Sequence, residues 1–235
     1  ATSSRAKWDL MTGFNHTDSS SYNAWMWKRH IGLDVVAFEG TNIDGLQIRH
    51  SLNAVPEMMI LKNRDATEHW SVYHKGLNGG TNPEQYALRL DTTAAEIDSD
   101  GWWNDTAPTA TAFTVGNSGN TNGFEKSMLA ILFTSVDGIS KVGSYTGSSS
   151  TVTVTTGFQP RFVIIRRVEA TDEWVLLDTL RGWGSGNDAF LHPNTSGAQN
   201  SNMDLGAPTS TGFTVTTTYN TINTNGENFI YYAHA

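Results

Sequence analysis

Two loops carry the residue types that hold sugars. Gly101-Trp102-Trp103-Asn104-Asp105 and Arg181-Gly182-Trp183-Gly184-Ser185-Gly186-Asn187-Asp188 each set tryptophan among glycine, amide and carboxylate groups. An indole can stack on the apolar face of a pyranose while amides and carboxylates take its hydroxyls. The candidate ligand-binding residues are therefore Trp102, Trp103, Asn104, Asp105, Trp183, Asn187 and Asp188. The competing reading is that these indoles fold back and plug the ends of the fold. Beside the first loop, Asp98-Ser99-Asp100-Gly101 resembles the start of a calcium loop, so Asp98 and Asp100 are the metal candidates. Calcium takes about six to eight oxygens, and the remaining loop spacing and its terminal bidentate glutamate are missing. A polar turn is the default there.

Other chemistry finds little support. The histidines show no H-E-x-x-H spacing, and there is no G-x-S-x-G elbow and no phosphate loop. Glycoside hydrolysis needs a proton donor with a raised pKa, and neither half of the chain offers a conspicuous acid in an apolar setting. We therefore expect no enzyme activity and no cofactor. A net charge of −8 with few clustered Lys or Arg argues against nucleic acid or an anionic membrane as partner. No stretch approaches the roughly 18 apolar residues of a membrane span.

These loops must hang on strands, because the sequence is written twice as β-structure. Pro56-Glu57-Met58-Met59-Ile60-Leu61-Lys62-Asn63-Arg64, then Ala66-Thr67 and Trp70, returns as Pro160-Arg161-Phe162-Val163-Ile164-Ile165-Arg166-Arg167, Ala170-Thr171 and Trp174. Ala107-Pro108-Thr109 with Phe113-Thr114-Val115 returns as Ala207-Pro208-Thr209 with Phe213-Thr214-Val215, and Asn120-Thr121-Asn122-Gly123 as Asn223-Thr224-Asn225-Gly226. Gly40 is matched by Gly147. Thr151-Val152-Thr153-Val154-Thr155 alternates with period two, as a half-buried strand does. The runs at 58–62 and 162–166 are nearly all apolar, which predicts central strands. Strands are predicted near 33–39, 46–51, 57–63, 69–75, 86–91, 111–116 and 127–134, and again near 139–145, 150–155, 161–168, 173–179, 188–192, 211–217 and 227–234. The fold class is all-β: two tandem antiparallel β-sandwich (jelly-roll-like) repeats, 32–137 and 138–235, behind an N-terminal arm, 1–31. One larger double sheet of fourteen strands is the alternative.

Matched residues are read as scaffold. Trp70 and Trp174 should be core tryptophans, and Lys62, Arg64, Arg166 and Arg167 solvated hairpin charges. Residues 1–31 have no second copy. Trp8, Met11 and Phe14 there are spaced by three, which suggests a helix near 5–12.

His50-Ser51-Leu52, Val55-Pro56-Glu57-Met58, Lys62-Asn63-Arg64, Trp70-Ser71-Val72-Tyr73-His74-Lys75-Gly76-Leu77, Ser135-Val136-Asp137-Gly138-Ile139-Ser140 and Tyr231-Tyr232-Ala233-His234-Ala235 occur in order. In these phrases the chain resembles a repeat of virion proteins of tailed bacteriophages, notably those of marine bacteria and cyanobacteria. The resemblance implies a tail-fibre or other appendage component of an extracellular particle. It implies other virion proteins and a host-surface glycan or receptor as partners, with attachment as the function. It carries no catalytic residues. Fibres act as symmetric multimers, so a homo-oligomer, a trimer, is expected. The alternatives are a purely structural virion or capsid-decoration protein and a polysaccharide depolymerase.

Overall fold

The computed structural model describes residues 31–217 and 219–235; the predicted arm and its helix lie outside them, apart from Ile31. The first half contains β1 (Leu33–Glu39), β2 (Leu46–Arg49), β3 (Met58–Asn63), β4 (Ser71–His74), β5 (Tyr86–Arg89), β6 (Ile97–Asp98), β7 (Ala112–Val115) and β8 (Ser127–Phe133). The second contains β9 (Ser140–Thr146), β10 (Val152–Thr155), β11 (Phe162–Arg167), β12 (Val175–Asp178), β13 (Asp188–Leu191), β14 (Asn200–Met203), β15 (Pro208–Thr209), β16 (Gly212–Val215) and β17 (Asn228–His234). One-turn helices α1 (Asp100–Trp103) and α2 (Gly119–Asn122) interrupt the first half.

Both halves are wired alike. The first large sheet runs β1-β8-β3-β4-β5-β6 and the second β9-β17-β11-β12-β13-β14. A small sheet backs each, β2-β7 in one and β10-β16-β15 in the other. Every pairing between the strands is antiparallel. The neighbours β1-β8-β3 facing β2-β7 have the jelly-roll arrangement. Then β4, β5 and β6 stay in the large sheet as a meander instead of crossing to the small one.

The nearly continuous apolar runs are explained by burial on both faces. Along β3, Met59 and Leu61 join Phe113 and Val115 in a core under the small sheet. Met58 and Ile60 point the other way, into a cluster shared with Ile164, Trp174, Ile230 and Tyr232 of the second half. On β11, Val163 and Ile165 complete the second half's own core with Phe213 and Phe229. The two large sheets thus lie face to face, with each small sheet on the outside.

Two glycines fix where each half closes. A Cβ on Gly40 would lie 2.2 Å from the Gly123 carbonyl oxygen, and one on Gly147 would lie 2.1 Å from that of Thr224. Beside them, buried Asn122 accepts from the Thr41 N–H and donates to the Ile43 and Gly116 carbonyls. Asn223 accepts from the Ser148 N–H and donates to Ser150 and Thr216. Asn122 is therefore the counterpart of Asn223. This corrects the match read from the Asn-Gly pairs, which lies two residues out of register.

Candidate functional site: the seam between the halves and its exposed margins

The loop tryptophans are not surface platforms. The Ser99 hydroxyl caps α1, and Asn104 ends it in the left-handed conformation (φ 53°). That single turn drives Trp102 and Trp103 inward, leaving them 5% and 1% exposed. The Trp103 N–H donates to the Tyr86 carbonyl at 2.9 Å, and its ring meets Tyr73 edge-on. The Arg89 guanidinium lies 5.7 Å over the Trp102 ring. Trp183 is also buried; its N–H donates to the Gly206 carbonyl at 2.8 Å and its ring packs edge-on to Phe213. The expectation of stacking surfaces is corrected: apolar faces and indole donors are both used inside, where each ring fills the end of a core.

The loops' polar residues follow. Asp105 and Asn187 are exposed and Asn104 is half-buried, away from any open indole of their own loops. Asp188 is fully buried, and its carboxylate accepts from the Gly184 and Leu205 N–H groups. Burial pushes its carboxyl up, against the lowering effect of those bonds. Glu96 is likewise raised, chiefly by burial, while accepting from the Asn78 N–H. Acids in apolar settings therefore exist, contrary to the sequence reading, but both serve backbone amides. Asp98 hydrogen-bonds to Tyr86, and Asp100 opens α1. Among the described residues no three His, Asp or Glu side chains converge as metal ligands would. A groove of about 850 Å³, lined by Leu33, Asp34, Leu52, Ser135 and Asp137, opens where the halves join. There the Asp34 carboxylate takes the Ser51 N–H and hydroxyl, which staples β1 to the loop after β2.

Specific polar chemistry lies in the seam. His74 is fully buried; its Nδ1 accepts from the Gly76 N–H at 2.9 Å, so Nε2 carries the proton and donates to the Tyr231 carbonyl at 3.2 Å. Burial holds its pKa down to about 4. The Glu57 carboxylate takes Lys75 Nζ at 2.6 Å and both the hydroxyl and the N–H of Ser135, whose oxygen in turn accepts from Val142 N–H. Burial would raise Glu57, but these hydrogen bonds and the Lys75 charge outweigh it and hold the carboxyl below its usual range. Arg166, 0% exposed, sends Nη2 to the Thr93 and Ala94 carbonyls of the first half at 2.8 and 2.7 Å. Burial brings its pKa down to about 10, opposed by Asp172 and Glu173. The Trp174 indole Nε1–H donates to the Arg89 carbonyl at 2.9 Å.

The seam is not two-fold symmetric. The first half contributes the row containing Phe133, Met58 and His74, with Gly76 and Leu77 beyond it. The second contributes the row containing Ile230, Arg166 and Trp174. The same row of the first half, with Leu129, Lys62 and Trp70, runs past the edge of its partner. Trp70 is 36% exposed where Trp174 is 1% exposed, and Val35 is 54% exposed where Val142 is 0% exposed. This corrects the expectation that Trp70 is a core residue. It also corrects that of solvated hairpin cations: Lys62 Nζ donates to three carbonyls, Arg166 is enclosed, and Arg167 pairs with Asp172 and Glu227, while Arg64 is exposed. Near Trp70, Asp91 joins the His69 ring at 3.0 Å and the Trp70 N–H at 3.2 Å.

Sequence reasoning missed His74, the Glu57–Lys75–Ser135 cluster and Arg166 as seam residues. A signal existed: Lys62 and Arg166 close matched apolar runs while still on the strand, which marks a cation held by the fold rather than one on a loop.

A family profile described as a domain of unknown function (DUF7483) matches residues 6–235, so the chain belongs to that family. Comparison with curated proteins and with solved structures finds no match.

Proposed function

We propose that this member of the DUF7483 family is a non-catalytic structural subunit of a virion appendage, with packing rather than ligand capture as its role. The observation that carries this reading is the burial of Trp102, Trp103 and Trp183, on which glycan attachment through the loops depended. The virion setting rests on the sequence resemblance. A second reading, host-glycan attachment, is favoured by Trp70: it is exposed, and its backbone N–H and the neighbouring His69 ring both bind the Asp91 carboxylate.

The test is paired. Trp183→Ala should lower stability by about 3–5 kcal/mol, as loss of a core aromatic does, measured by urea unfolding. The parent protein should give no saturable signal against host-envelope polysaccharides in a glycan-binding assay. Saturable binding that Trp70→Ala abolishes would reverse the order of the two readings.

A further inference from the structure

We infer that the chain associates head to tail with a second copy of itself, the Trp70 margin of one chain receiving the Leu180 margin of the next. The inference extends the reading of a structural subunit, yet stands on the seam alone and needs no particle to be tested.

The seam joins unlike surfaces of like halves. A contact of that kind leaves a free surface at each end and continues into a ring or filament unless something blocks it. Both free surfaces are present. On the first half, Trp70, Val35 and Ala37 are exposed beside half-buried Leu129, and they continue the buried row of Met58 and Phe133 without a break. Trp174, Val142 and Ile230, the counterparts of Trp70, Val35 and Leu129, are covered by the other half, while Ser144, the counterpart of Ala37, stays exposed. On the second half the uncovered part is the turn after β12. The corresponding turn after β4 is inside the seam: Leu77 is 0% exposed, and a Cβ on Gly76 would meet Ile230 at 3.0 Å and Ser144 at 3.1 Å. Leu180 stands at the position of Gly76 and is 76% exposed. Phe162 and Asp178 beside it are half-buried.

The contact between chains is not a copy of the internal one: a Cβ at the Gly76 position already meets Ile230 at 3.0 Å, so the Leu180 margin seats wider on its row. Leu180 brings a side chain where Gly76 has none. The row it would meet has Ala37 and Leu129 where the internal seam has Ser144 and Ile230. Aromatic anchors at the centre of such contacts dominate their strength, which assigns Trp70 the part that Trp174 plays inside the chain.

The experiment is complementation of full-length chains in sedimentation velocity, with melting curves as the folding control. The parent should grow past dimer as concentration rises. Trp70→Ala and Leu180→Glu should each weaken association at least tenfold while melting close to the parent, because both residues are exposed. Mixed together, the two variants should form a dimer and stop there, since each supplies the end the other lacks. The inference is overturned if the parent stays monomeric at ~1 mM, if either variant assembles like the parent, or if the mixture stays monomeric. A mixture as inert as its components would mean a self-complementary contact, and a parent that binds envelope glycan would count against the structural reading instead.

Discussion

Lys62 and Arg166 occupy the same place on β3 and β11, and each sends a nitrogen to the carbonyl of the alanine four residues on, Ala66 or Ala170. There the likeness ends. The lysine spends its other donors on its own hairpin, at Asn63 and Glu68. The arginine's same Nη2 also reaches the Thr93 and Ala94 carbonyls of the opposite half, while Nε and Nη1 find no partner. A guanidinium carries its terminal nitrogen one bond farther from the backbone than an ammonium, on a rigid plane. One substitution between copies therefore turns a local loop brace into a bridge. Trp70 and Trp174 teach the same lesson with no change of residue: what differs is whether the neighbouring half reaches that far.

The largest expected contrast lies at those tryptophans. Trp174→Ala should cost about 3–5 kcal/mol, since it opens the seam and leaves the Arg89 carbonyl without its donor. Trp70→Ala should cost less than about 1 kcal/mol. Equal losses in chemical denaturation would mean that the two positions share a burial they do not show here.

Acid should act on the seam next. His74 has a pKa near 4 in the fold against an ordinary 6.5. A group depressed in this way contributes fully above its unfolded value, and the contribution fades as pH falls from 6.5 through about 4. Glu57 is also held low, so it acts in the same direction as pH falls through its own depressed range. Unfolding free energy should drop by up to about 3 kcal/mol from His74 alone between roughly pH 7 and pH 4. Urea titrations of the parent and His74→Gln should show a flatter slope in the variant. Parallel slopes would move the acid sensitivity to other groups.

The smallest contrast is predicted to be no contrast. Asn122→Ala and Asn223→Ala each leave buried backbone groups without partners and should each cost about 1–3 kcal/mol. A difference larger than this range, read by thermal melting, would mean that the two clasps are not equivalent.

Most of the scaffold was legible because strand period and turn residues are local signals. All fourteen strands expected from 33–39 to 227–234 are present; β6, β14 and β15, short and polar, carried no such pattern. The tryptophan loops were not legible, because Gly, Asn and Asp around an indole look alike whether a one-turn helix like α1 points the ring in or out. The Asn clasp was misread because Asn120–Gly123 and Asn223–Gly226 spell similar words while the strands after them fix a different register. Nothing local separates Trp70 from Trp174, since the face-to-face offset of two sheets is written across the whole seam.

The passage between halves is six residues, 134–139, held by the Val136–Ser140 bridge and by the Ser140 hydroxyl on the Thr134 carbonyl. So brief a tether keeps each half at millimolar effective concentration about the other. The internal contact can therefore be intrinsically feeble and still never be seen apart. The same contact between separate molecules lacks that leash, so it takes hold only as chains are crowded toward that same millimolar range.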